Sequence, residues 1–274
     1  MYTAGKPLLL AIQRGYTSSY YTKPMFRKLL LTCFFAILLL PSFGQAVRVA
    51  VAANAQYVVK KLAQDFKKKT GISVEVISGA SGKLSIQIKN GAPYDIFLSA
   101  DMDFADELDR EGLTLEKTKV YAMGSLIVCS TTGAPVKDWK NIITKKRAGK
   151  IAIANPQLAP YGKAAEEALK KTGLYASASD RLVFAESVGQ VNTYVLKGTV
   201  QMGFTTASLI YELQPIGKFK YAEIDRSLYA PIKQGAVLLK YAKSKNYRAS
   251  KQFFDYLFSA GAKAIFLKFG YTTA

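Results

Sequence analysis

Four short stretches hold the small and polar residues from which this chain could build a binding site: Ala53-Asn54-Ala55, Gly79-Ala80-Ser81-Gly82, Ala159-Pro160-Tyr161-Gly162 and Glu186-Ser187-Val188-Gly189. Each lies between a β-rich run and the onset of helical spacing. A helix start offers backbone N–H groups without intrahelical partners, together with a partial positive charge. Where strands run parallel, such starts gather at the carboxyl edge of the sheet, where ligands bind. Several of them aimed at one point would hold an oxyanion without lysine or arginine. Taken singly the signals have plainer readings. Asn54 and Ser81 are ordinary helix-capping types, the glycines could serve turns alone, and Tyr161 could be a surface aromatic.

Catalytic alternatives find little material. The chain has no His, which removes the commonest general base and the commonest transition-metal ligand, so no Ser or Cys has a His to activate it. There is no Gly-x-x-x-x-Gly-Lys-Ser/Thr phosphate loop. Asp95 opens a strand-like run and Asp101 precedes a helix as a cap, so both read as structural. Cys33 and Cys129 have no metal-ligand spacing, and Cys129, within the apolar run Ser125 to Ser130, reads as a buried, inert thiol. The expectation is a binding protein and not an enzyme, with no cofactor and no directly ligated metal cation.

The elements that must position these residues alternate between strand and helix. Val47 to Ala52 is β-rich. Val58, Val59, Leu62, Ala63 and Phe66 then recur on one helical face up to Thr70-Gly71. Ile72 to Ile77 reads as a strand, a helix carries Leu84 and Ile88, and Tyr94 to Ser99 reads as a third strand. The alternation continues through strands at 126–129, 151–154, 183–185, 201–205 and 235–240. Helices are expected at 163–171, 188–196, 248–258 and 262–269. This pattern implies an α/β fold of mainly parallel sheets flanked by helices, either as one doubly wound domain or as two lobes.

The first 46 residues read as a leader rather than as fold. From Met25 a basic start leads into the apolar run Leu29 to Leu40 and then Pro41 to Ala46, the layout of a secretory signal peptide with cleavage after Ala46. The run is shorter than the roughly 20 apolar residues of a membrane span, so no stable membrane insertion is expected after cleavage. Residues 1–24 read as a misassigned start or an unusual leader. Lipid anchoring at Cys33 fits poorly, because it would leave Phe34 to Leu40 exposed. Removing the leader's five basic residues leaves 33 basic against 19 acidic side chains, a net of +14. Such a field favours anions, but export and the lack of a basic stripe interleaved with aromatics argue against nucleic acid.

Three stretches carry a resemblance: Val49 to Asn54, Gly79 to Ile88, and Gly-Ala-Pro-Tyr-Asp-Ile-Phe-Leu-Ser-Ala-Asp over 91–101. Together they resemble the periplasmic molybdate-binding proteins of ABC transporters. Asn155-Pro156, Ala159 to Ala164, Glu167 to Leu169, Glu186 to Gly189, Gly203 to Thr206 and the closing Phe269 to Thr272 match in order. The resemblance implies a two-lobed periplasmic-binding-protein fold of type II with the ligand in the inter-lobe cleft. Lobe 1 would be 47–121 plus 231–274, and lobe 2 would be 122–230. It implies capture of molybdate or tungstate by a periplasmic monomer that delivers the ion to a permease with its ATPase. The implied ligand residues are Asn54 and Ser81, through side chains and backbone, with Tyr161 and Val188 through backbone N–H groups. Ala53, Gly82 and Thr206 are lesser candidates. A common branch of the family places a tyrosine hydroxyl where this chain has Thr206, so Thr206 substitutes, the bond is missing, or Tyr161 or Asn54 compensates. The alternative within the same class is a binder of sulfate, phosphate or a related anion, and a further one is a sensor ectodomain without transport. An iron(III) site built on adjacent tyrosines is unsupported, since no Tyr-Tyr pair follows residue 46.

Overall fold

The computed structural model describes residues 45–145, 149–213 and 219–273. The proposed leader, including Met25 and Cys33, therefore lies outside the described residues, apart from Gln45 and Ala46.

Two five-stranded sheets organise the chain. The first begins with β1 (Val47–Ala52), α1 (Gln56–Thr70), β2 (Val74–Gly79), α2 (Ser81–Lys89), β3 (Ile96–Leu98), α3 (Asp103–Arg110) and β4 (Lys119–Gly124). The chain then crosses at Ser125 into β5 (Leu126–Ser130), α4 (Trp139–Thr144), β6 (Ile151–Ala154), α5 (Pro160–Lys171), α6 (Tyr175–Ala178), β7 (Leu182–Ala185), α7 (Val188–Leu196), β8 (Met202–Thr206), α8 (Ser208–Leu213) and β9 (Lys220–Glu223). It returns through β10 (Ile232–Leu238) and closes with α9 (Tyr241–Lys245), α10 (Tyr247–Tyr256) and α11 (Ala260–Lys268).

The strand orders are β2-β1-β3-β10-β4 and β7-β6-β8-β5-β9. Both sheets are mixed, which corrects the expectation of mainly parallel ones. β2-β1-β3 and β7-β6-β8 are parallel, as strand-helix-strand connections require, whereas β10 and β5 pair antiparallel with both their neighbours. These antiparallel strands flank the two crossings between sheets, where no crossover helix imposes a parallel return.

β1 shows how apolar alternation builds two layers. Val47, Val49 and Val51 pack with Val58, Val59, Leu62 and Phe66 of α1 and with Phe253 and Phe266 of the closing helices. Ala50 faces the other way, among Leu84, Ile88, Phe97 and Leu108. The face of α1 expected to be buried is the one that is buried. A strand covered on both sides reads as a nearly continuous apolar run, as Val47 to Ala52 does. The second sheet has its own core, in which Trp139 meets Phe204 edge-on at 5.4 Å. Cys129 is fully buried there, its thiol directed at the Gly203 carbonyl at 3.6 Å, and burial pushes its pKa up.

Candidate functional site

The four sequence stretches meet where the two sheets face one another. β1 and β2 are parallel neighbours that end level, with Ala52 beside Gly79. β6 and β7 likewise end level, with Ala154 beside Ala185. From the first pair the chain enters a 3-10 turn at Ala53–Ala55 and the start of α2. From the second it enters the starts of α5 and α7. Ala52, Ala53, Asn54, Gly79, Ala80, Ser81, Ala100, Ala159, Pro160, Tyr161, Ser187 and Val188 together line one small cavity. The space its interior leaves to the centre of a water-sized sphere is about 10 Å³, about what a single such sphere needs. No lining residue carries a charge.

Ser81 and Val188 are the first residues of α2 and α7, and Tyr161 is the second of α5. Their backbone N–H groups therefore have no partner within their own helices. Asn54, Ser81, Tyr161 and Val188 are 1%, 1%, 1% and 4% exposed, so all four are buried at the cavity wall. Neither Asn54 nor Ser81 caps a helix with its side chain, which removes the plain capping reading for both. Ser81 Oγ instead accepts the Ala100 N–H at 3.0 Å. With one lone pair engaged, the hydroxyl proton remains for Ser81 to offer an acceptor in the cavity.

Gly82 and Thr206, two of the lesser candidates, are not among the lining residues. The Gly82 N–H donates to the Leu158 carbonyl at 3.0 Å and joins the two halves at the rim. Thr206, at the end of β8, donates to the Tyr161 hydroxyl at 3.3 Å from behind the cavity wall. Its side chain supports Tyr161 in place of reaching the cavity.

Sequence reasoning missed the polar layer behind the wall. Asn54 Nδ2 donates to Gln234 Oε1 at 2.9 Å and to the Tyr271 hydroxyl at 3.2 Å. Tyr121 donates to Gln234 Oε1 at 2.6 Å, and Gln234 Nε2 donates to the Tyr161 hydroxyl at 3.3 Å. The Asn54 carbonyl accepts from Tyr271 at 2.7 Å and from Ser208 at 2.8 Å. Gly124 leaves the room this layer needs, since a Cβ there would lie 1.9 Å from the Tyr161 hydroxyl. Burial pushes the phenols of Tyr121, Tyr161 and Tyr271 above the ordinary tyrosine range, so all three stay uncharged at neutral pH. Tyr271 belongs to the closing Phe269 to Thr272 stretch that the sequence did single out, but nothing local tied it to Asn54.

Such an arrangement can surround a small anion with neutral donors. Comparison with known proteins shows the family. A family model described as bacterial extracellular solute-binding protein matches residues 47–272. The molybdate-binding protein ModA of Azotobacter vinelandii is 35% identical over 226 residues, covering 82% of this chain and 89% of that protein. The molybdate-binding protein ModA of Rhodobacter capsulatus is 36% identical over 239 residues, covering 86% and 92%. A solved structure of the Azotobacter vinelandii periplasmic molybdate-binding protein superposes with a TM-score of 0.77 at 33% identity, covering 83% of this chain and 99% of that one.

Proposed function

Since the chain belongs to the bacterial extracellular solute-binding proteins, as a ModA-like member, we propose that it captures molybdate and delivers it to the permease of an ABC transporter. The observation that carries this reading is the meeting of three helix starts and a 3-10 turn at one small cavity with no charged lining residue. A fully ionised oxyanion offers only acceptors, so a shell of N–H and O–H donors matches it. Neutral donors also suit an ion that must be given up again.

In this reading Ser81 and Asn54 donate through side chain and backbone, and Tyr161 and Val188 through backbone N–H groups. Ala53 is a lesser backbone candidate, and Thr206 acts indirectly through Tyr161. The missing family tyrosine is offset by Asn54 and by the wall that Tyr161 forms. The two lobes comprise 47–121 with 231–274 and 122–230, and the ion sits between them. The protein acts as a monomer without a cofactor, and it binds without chemistry. Export follows from the leader, starting at Met25 and cut after Ala46, with no lipid anchor. Tungstate, an ion of nearly the same size and charge, is accepted at the same site, and sulfate is rejected by cavity size.

Titration calorimetry of the purified protein with molybdate, tungstate, sulfate and phosphate tests the reading. One molybdate or tungstate ion per chain is expected, with much weaker sulfate binding. Equal affinity for sulfate and molybdate would remove the selectivity claim, and heat with phosphate alone would redirect the assignment.

A further inference from the structure

Gln234 lies on the strand that returns from the second sheet to the first, is fully buried, and does not line the cavity. Its amide oxygen is held by Asn54 Nδ2 and by the Tyr121 hydroxyl, and its amide nitrogen by the Tyr161 hydroxyl. Asn54 does line the cavity, yet its nitrogen edge is turned to Gln234 and Tyr271. Its Oδ1 is buried without any partner. A buried, unpartnered amide oxygen is costly, and beside an oxyanion it would set acceptor against acceptor.

Turning the Asn54 amide alone does not resolve this, because it would bring Oδ1 against Gln234 Oε1. Turning both amides does. Gln234 Nε2 then donates to Asn54 Oδ1 and to the Tyr121 hydroxyl, while Gln234 Oε1 accepts from the Tyr161 hydroxyl, which still accepts from Thr206. Tyr271 can donate to Oδ1, since the Asn54 carbonyl keeps Ser208. The partners around the pair are retained, the orphan oxygen disappears, and Asn54 Nδ2 is released toward the cavity. Only a carboxamide supplies both a donor and an acceptor in the way this exchange requires. We propose that Gln234 is a positioning residue for oxyanion capture, turning over together with Asn54 so that Asn54 presents a donor to the bound ion. The inference rests on the oxyanion reading above and adds to it a residue that never touches the ion.

The test uses molybdate as the probe. Gln234→Glu keeps the shape but, when ionised, accepts only; it holds Asn54 Nδ2 inward and cannot donate to Oδ1. Its charge also repels the anion, so the same substitution is made in an Asn54→Ala background, where repulsion persists and the amide coupling is gone. The loss of affinity caused by Gln234→Glu should be at least about tenfold larger with Asn54 present than without it. Equal losses in the two backgrounds would overturn the inference while leaving the oxyanion reading intact, and a parent protein that binds no molybdate would overturn both. A second measurement needs no substitution and so does not depend on the variant folding. In the molybdate-saturated protein, nuclear Overhauser contacts from the Gln234 side-chain N–H protons should reach the Tyr121 ring; contacts to the Tyr161 ring in their place would sink the coupled turnover.

Discussion

Ser81 is the residue whose hydroxyl is most clearly divided between a structural contact and the cavity. Its Oγ accepts the buried Ala100 N–H, and its proton is left for the cavity. Ser81→Ala should therefore act twice. Loss of a hydrogen bond to a charged ligand should weaken molybdate binding by ~1.5–3 kcal/mol, about tenfold or more. The stranded Ala100 N–H should lower the stability of the ligand-free protein by ~1–3 kcal/mol as well. Thr206→Ala should cost less affinity, because Thr206 meets the cavity wall only through the Tyr161 hydroxyl. Titration of both variants, with melting curves in the presence and absence of molybdate, separates these outcomes. Parent-like affinity in the Ser81 variant would deny it a ligand role, and a larger loss in the Thr206 variant would move the direct contact to that side chain.

At the scale of elements, the close approach of α2 to the segment preceding α5 decides whether the cavity can close. A Cβ on Gly82 would stand 3.0 Å from Phe104 Cζ and 3.2 and 3.3 Å from the Leu158 backbone, across the Gly82–Leu158 hydrogen bond. Backbone on the far side cannot yield as a side-chain tip can. Gly82→Val should therefore prop the rim open and reduce molybdate affinity by about tenfold or more, while the ligand-free melting temperature changes little. Parent-like affinity would mean that the rim has slack. The elements carrying this junction were legible in the sequence, because each combines an apolar period with its own stop or start. The α7 helix at Val188–Leu196 has the expected bounds, and α5 begins three residues early only because Pro160 is an apt first helical residue. What stayed hidden lacked a local signature. β9, Lys-Tyr-Ala-Glu, is a largely exposed edge strand with no apolar run, and β4 is a mixed stretch whose place depends on β10, more than a hundred residues away. The four cavity stretches could be read singly, but their convergence could not. The layer behind them was invisible for the same reason: Asn54 and Gln234 are 180 residues apart.

Across the whole molecule, charge and site are kept separate. Residues 47–274 carry a net of +14, yet no charged side chain lines the cavity. Two ion pairs join the two sides of the junction, Lys83 with Glu186 at 2.7 Å and Lys163 with Asp103 at 3.6 Å. All four side chains are well exposed, so each pair should contribute at most ~1 kcal/mol and less as salt rises. In the proposed reading the positive field acts on the approaching anion, and the short-range neutral donors act on the bound one. These two contributions respond differently to ionic strength. Raising salt from ~0.15 to ~1 M shortens the screening length from about 8 to about 3 Å, which removes long-range steering and leaves short-range hydrogen bonds to neutral donors untouched. Stopped-flow measurements should therefore show the molybdate association rate falling with added sodium chloride while the dissociation rate stays constant, so that the rise in Kd equals the fall in association rate. A dissociation rate that climbed steeply with salt would mean that a lysine or arginine touches the bound ion, or that the two exposed ion pairs hold the cavity shut. Repeating the series with Lys83→Met and Lys163→Met decides between these: a salt-independent dissociation rate in the double variant assigns the effect to the ion pairs, and a persistent dependence assigns it to a direct cationic contact with the ion.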